Sequence, residues 1–507
     1  MRQYECYELR LNGPAPDDFV RADVQGSFEM NGKEITVKGF YAGDSTYIVR
    51  YLPMESGVCR YRITGVVETE GEITCEPAAD GIHGMVRARD MHFQYEDGTY
   101  FYPFGTTVYA LMHQEDVLVE ETMESLKAAP FNKVRFCVFP KHYDFNHNEP
   151  PVYAFEKKED GSGWDVTRPC FAFWERLERI LVQMGKMGIQ ADLILFHPYD
   201  RWGFATMPQE DNLVYLDYLM RRLAAFPNVW WSLANEYDLC GAKSVKDWEE
   251  IEEYVAEQDA HHHLLSCHNC FKNWDFTRPN VTHASIQSKV LNKVSEWRRQ
   301  YNKPVVIDEC CYEGNIQHIW GSISGKEMAN RFWRVVTMGG YCTHGETFLD
   351  PDQEILWWSR GGRLKGESPA RIAFLRKIVE ELPGPLEPAE NWIVKILHIS
   401  PEEKEQLRQQ ADPFVKAMLQ MDSGELADFT SSEFVYQGHC GEDAYLTFYD
   451  LRTCAEDVLE LPESHKYRVE LIDTWNMTRT VLLENASGRT KLSLSGREGM
   501  AVLAVRK

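Results

Sequence analysis

The chain has 507 residues, 44% of them hydrophobic, and carries 54 basic against 78 acidic side chains for a formal charge of −24. That length exceeds one ordinary core, so a large central domain with one or two smaller companions is expected. The charge repels phosphate backbones and anionic lipid, which excludes nucleic acid and membrane surfaces as natural partners.

The opening Met1-Arg2-Gln3-Tyr4-Glu5 holds no apolar signal core, and no run of about 18 apolar residues occurs that could span a bilayer. Thirteen cysteines, many in apolar runs such as those around Cys137, Cys267 and Cys342, suit reduced thiols better than a disulfide framework. A cytoplasmic protein is the expectation.

From Val24 to about Ile73 apolar and polar residues alternate, broken by Asn31-Gly32. This period-two pattern predicts an antiparallel β-sandwich over residues 1–85. Over 86–390 short apolar strands alternate with helical stretches, which predicts consecutive βα units. Eight strands are expected in chain order: Phe101 to Tyr109, Lys133 to Phe139, Gln190 to His197, Val229 to Glu236, Leu264 to His268, Val281 to Ile286, Pro304 to Glu309 and Tyr341 to Glu346. Eight closes a (β/α)₈ TIM barrel, the α/β fold class assigned here. Between strands, Phe173, Leu177, Ile180, Leu181 and Met184 fall on one helical stripe, as do Leu213, Leu216, Leu219 and Leu223. Residues 147–169 read as a long loop beside the barrel mouth. From about residue 430 the strand texture returns, so 391–507 reads as a linker and a second β-sandwich.

Functional groups of such a barrel stand at the C-terminal ends of its strands. Two strands run straight into acids: Trp230-Trp231-Ser232-Leu233-Ala234-Asn235-Glu236 and Pro304-Val305-Val306-Ile307-Asp308-Glu309. A pair of carboxyl groups flanking one sugar is what glycosidic cleavage needs. The other strands lead to Tyr109 and His113, Arg135 and His142, His197 and Tyr199, His268 and Asn269, His283 and Gln287, and His344 and Glu346.

These residues resemble the retaining glycoside hydrolases of the large (β/α)₈-barrel clan that includes cellulase-like and β-galactosidase-like enzymes. In that clan the fourth-strand acid directly follows an Asn, as Glu236 follows Asn235, and the seventh-strand acid, here Glu309, is the nucleophile. Arg135 looks like the clan's second-strand arginine beneath the nucleophile. The flanking regions are similar to small β-domains that accompany such barrels. The resemblance implies a metal-independent enzyme with no cofactor and a carbohydrate substrate.

On this reading Glu309 attacks the anomeric carbon, and Arg135 beside it keeps it ionised. Glu236 protonates the leaving oxygen and then activates water. Asn235 reaches the sugar 2-hydroxyl, and Tyr109, His197, His283 and His344 line the −1 subsite. Asp308 should face away by strand alternation, and Glu313 ranks behind Glu309 as nucleophile. Glu346 stands where many clan members place a Trp, and a hydroxyl-binding role is expected for it. Flat rings that could stack on sugar are Trp164, Trp202, Trp274, Trp320 and the pair Trp357-Trp358, with Trp202 placed in the site. Two alternatives stand beside this reading: a metal-dependent barrel hydrolase, disfavoured because Phe101 to Tyr109 has no His-x-His, and a non-catalytic carbohydrate-binding protein.

Overall fold

The computed structural model describes residues 1–349, 356–389, 399–422, 424–426, 429 and 435–507. All eight expected barrel strands are present: β1 (Phe104–Thr107), β2 (Lys133–Cys137), β3 (Gln190–Phe196), β4 (Val229–Ala234), β5 (Leu265–Ser266), β6 (Ala284–Gln287), β7 (Val305–Glu309) and β8 (Tyr341–His344). They form one parallel sheet in the order β5-β4-β3-β2-β1-β8-β7-β6. The ends of that order meet through Thr282 N–H to Leu265 O at 2.9 Å and Ser266 Oγ to His283 O at 2.6 Å, so the sheet closes as a barrel. β5 is shorter than expected because the carbonyl of His268 serves the mouth, accepting from Tyr237 N–H at 2.9 Å.

The barrel interior carries a charged layer. Lys133 Nζ lies 2.6 Å from Asp308 and 2.7 Å from Asp192, and Arg135 lies 3.5 Å from Asp192 and 4.0 Å from Asp308. Ser285 and Thr343 hydroxyls donate to Asp308 at 2.6 and 2.8 Å. Burial alone would raise the Asp308 pKa, but Lys133 and Arg135 hold it well below the usual carboxylate range. Two cations against two anions make a neutral, hydrogen-bonded plug, the condition under which buried charge is tolerated.

The segment expected as a loop over 147–169 contains a two-stranded hairpin, Phe155–Lys157 with Trp164–Pro169. Its buried Trp164 and Val166 alternate with more exposed neighbours, a two-residue period too short to stand out in the sequence.

The chain divides into two compact units: Met1–Ser288 with Tyr301–Ser324 and Thr343–Gly366, and Lys289–Gln300 with Gly325–Cys342 and Glu367–Lys507. In the first, two antiparallel sheets, of three and four strands, share a core of Phe28, Tyr47, Val49, Tyr51 and Ile63. The Phe28 and Tyr51 rings stack at 4.3 Å. In the second, a six-stranded antiparallel sheet buries Tyr467, Val469, Val502 and Ala504, and Arg334 forks onto Asp450 with two bonds of 2.8 Å. The expected boundary at residues 390 and 391, and the expected restart near 430, lie outside the described residues.

Candidate active site

β4 delivers Asn235 and Glu236 to the mouth. Glu236 adopts the left-handed backbone, φ 55° and ψ 59°, and starts the single turn Tyr237–Leu239. A side chain held in that region costs on the order of 1–3 kcal/mol and persists only where its surroundings fix it. Here they do: the Tyr199 hydroxyl donates to Glu236 Oε2, Asn235 Nδ2 donates to the same oxygen at 3.2 Å, and Glu236 N–H donates to His268 Nδ1 at 3.3 Å.

Glu309 closes β7 and is 4% exposed. Burial pushes its carboxyl up to about 8, against the opposing effect of the neighbouring Tyr312 and Trp320 side chains. The Tyr109 hydroxyl meets both Glu309 Oε1 and Asn235 Oδ1, the latter at 2.8 Å. With one proton for two acceptors, that hydroxyl satisfies both only when Glu309 is protonated and donates back to it, which agrees with the raised pKa. Tyr312 reaches Glu309 because residue 345 is glycine: a Cβ there would lie 2.0 Å from Tyr312 Cδ1.

Glu236 and Glu309 face one cavity of 420 Å³, walled by Tyr109, Tyr143, Tyr199, Tyr312, Trp320 and Trp358. Lys141 also lines it. Its ammonium sits over the Tyr109 ring at 3.4 Å, with Tyr199 at 4.2 Å and Tyr143 at 4.7 Å. Cation–π attraction favours the charged form there. Burial nonetheless lowers the Lys141 pKa to about 8, with the Cys137 and Glu236 charges acting to raise it. No side-chain or backbone oxygen among the described residues accepts a hydrogen bond from that ammonium, so its three donors are available to a ligand.

Of the ten side chains expected in the site, Glu236, Glu309, Asn235 and Tyr109 line the cavity, whereas Arg135, His197, His283, His344, Glu346 and Trp202 do not. Arg135 points into the barrel interior toward Asp192 and Asp308, not onto Glu309, which is why no guanidinium lowers the Glu309 pKa. His197 Nε2 donates to Phe139 O at 3.1 Å. His283 precedes β6 and therefore sits at the far end of the barrel, between the rings of Trp230 and Phe93. His344 follows the inward Thr343, so alternation turns it out of the barrel, where it stacks on Phe131 at 4.8 Å. Glu346 accepts from the N–H groups of Lys365 and Gly366. Trp202 Nε1 donates to Glu149 at 2.9 Å, outside the cavity.

Lys141 and Tyr312 went unnoticed in the sequence. Both lie a few residues beyond a strand end, Lys141 in Phe139-Pro140-Lys141-His142 and Tyr312 after Glu309-Cys310-Cys311, where barrel loops place functional groups. Trp358 and Trp320 were expected as candidate rings, and both stand in the wall.

The geometry has relatives. A family described as the apiosidase-like catalytic domain matches residues 88–365. The chain belongs to the apiosidase-like family. Two domains of unknown function match residues 1–65 and 433–504 on either side of that apiosidase-like barrel. A crystal structure of a candidate glycoside hydrolase from Bacteroides vulgatus is 33% identical with a TM-score of 0.86, covering 100% of this chain and 99% of that one. A glycoside hydrolase family 5 structure from the same organism is 15% identical with a TM-score of 0.61, covering 84% and 93%, and is alike in fold. No curated protein sequence matches the chain. This apiosidase-like chain has a glycoside hydrolase fold, and among its described residues no helix is long and apolar enough to cross a membrane.

Proposed function

We propose that this apiosidase-like protein is a retaining glycoside hydrolase that cleaves O-glycosidic bonds of short oligosaccharides or glycosides by double displacement. One observation carries the reading: Glu236 and Glu309 come from the ends of β4 and β7 to the same cavity, bridged by Asn235 and the Tyr109 hydroxyl. Glu309 attacks the anomeric carbon as the glycosidic C–O bond breaks, and the Glu236 proton goes to the departing oxygen. Glu236 then takes a proton from water, whose oxygen displaces Glu309 and restores the first configuration. Tyr109, Tyr312 and Trp320 are donors to the ionised Glu309, and Trp358 offers a flat wall to the sugar. The family description makes apiosides the glycosides to test first. A cytoplasmic setting belongs to the same proposal: every cysteine is a free thiol, the form a reducing compartment maintains.

The test is hydrolysis of aryl glycosides followed by proton NMR. The first sugar released keeps the anomeric configuration of the substrate; release of the opposite anomer would rule out double displacement. Because Glu309 must be ionised to attack and its pKa is raised to about 8, kcat/KM for an aryl leaving group that needs no protonation rises about tenfold per pH unit below that value and levels above it. A profile flat from pH 5 upward would show that Glu309 ionises in the ordinary carboxylate range.

Lys141 is assigned a hydrogen bond to a substrate oxygen. A charged hydrogen bond contributes about 1.5–3 kcal/mol, so Lys141→Met lowers kcat/KM by roughly 10–150-fold while thermal stability holds or rises. Unchanged kinetics would show that the ammonium serves packing alone.

A further inference from the structure

We propose that Glu313, His344 and Glu346 form a binding site for one divalent first-row cation, Zn²⁺ or Mn²⁺, outside the catalytic cavity. The register builds it. Glu313 pairs directly with Glu346 in a short parallel ladder, and His344, the last residue of β8, lies two residues before Glu346. All three are at most 1% exposed, none lines the cavity between Glu236 and Glu309, and their donor atoms lie within 4.8 Å of one another.

The imidazole is the observation that points to a ligand. His344 Nδ1 is 3.1 Å from Thr106 Oγ1, a hydroxyl that also accepts from Trp357 Nε1 at 2.9 Å. When Nδ1 carries the proton it donates to Oγ1, whose two lone pairs suffice for both donors, and Nε2, buried and without a partner among the described residues, presents a bare lone pair. A metal-binding histidine typically has its second nitrogen held in this way.

The carboxylates converge as well. Lys365 and Gly366 N–H groups donate to the two Glu346 oxygens at 2.5 and 2.9 Å. Glycine at residue 366 leaves room for both carboxylates, since a Cβ would lie 2.4 Å from Glu313 Oε2 and 2.7 Å from Glu346 Oε2. Two acids buried side by side repel one another, and a divalent ion cancels both charges. One nitrogen and two carboxylate ligands suit Zn²⁺ or Mn²⁺, whereas Ca²⁺ requires six to eight oxygens. Tetrahedral ligands at about 2.0–2.2 Å stand about 3.3–3.6 Å apart, so side chains whose donor atoms lie within 4.8 Å of one another close by up to about 1.5 Å on the ion.

The experiment needs no enzymatic activity. Full-length protein is stripped with chelator, dialysed against Zn²⁺ or Mn²⁺, and assayed for bound metal and thermal midpoint, with Co²⁺ absorption as a direct report of nitrogen and oxygen ligation. The expected result is one equivalent per chain and a midpoint raised by several degrees. Glu346→Gln, which retains shape and hydrogen bonding, should weaken binding by more than about 100-fold, beyond what outer partners of a site contribute. Should Glu346→Gln fail to fold, a Co²⁺ spectrum of the wild type lacking bands of a ligated ion overturns the site by itself. Absence of stoichiometric metal from the wild type, or binding undiminished in both Glu346→Gln and Glu313→Gln, overturns it equally.

Discussion

Glu309→Ala loses turnover of aryl glycosides by about 10⁴-fold or more, because it removes the atom that bonds to the sugar and no other carboxylate faces the anomeric carbon from β7. Glu236→Ala behaves differently. With a phenol that leaves without protonation, the first step survives and the second stalls, so a glycosyl-enzyme accumulates and a burst of phenol precedes slow turnover. Azide, which needs no general base, restores turnover of Glu236→Ala and yields a glycosyl azide of retained configuration. Equal losses in both variants, with no burst and no azide effect, would take the acid/base role from Glu236, and sugar binding without turnover in the wild type as well would leave a binding module. The pair also separates function from stability. The folded pKa of Glu309 lies above its unfolded value, near 8 rather than 4.5. Its contribution to stability is therefore fully present below about pH 4.5 and lost as pH rises to about 8. Glu309→Gln removes that loss, so above pH 8 the inactive variant is more stable than wild type in urea, with a ceiling of about 5 kcal/mol.

Asp308→Ala destabilises the barrel by about 3–5 kcal/mol in urea denaturation, the range for breaking a buried pair. Asp308 is fully buried, and removing it leaves Lys133 and Arg135 to share Asp192 as their only ion-pair partner among the described residues. The double change Lys133→Met with Asp308→Leu recovers most of the loss, because it removes both charges and leaves the Arg135 and Asp192 pair. Asp308→Asn falls between, since Ser285 and Thr343 still find an acceptor. A double variant no better than Asp308→Ala would mean that shape, not charge, dominates this layer.

Strand identities were legible because each barrel strand is short, apolar and bounded by a helical period, and that information is local. The acids were legible for the same reason: Asn235-Glu236 and Asp308-Glu309 end apolar runs, and a strand end in a barrel is a mouth position. The histidines show where such reasoning stops. His283 precedes its strand and His344 has the wrong parity, so one lies at the opposite end and the other outside the barrel. Arg135 has the right parity, but an inward residue can pair with any charge of its layer, and the layer is assembled from strands that are remote in the chain.

By itself the sequence determined the eight strands, the two flanking β-regions and the two acids at strand ends, because period and strand termination are set by neighbouring residues. Only the tertiary structure decided that Lys141 sits unpaired among three tyrosine rings, that Arg135 serves Asp192 and Asp308, and that Glu313, His344 and Glu346 converge. Those outcomes depend on which strands become neighbours and how far each side chain is withdrawn from water. Both are properties of the closed barrel as a whole.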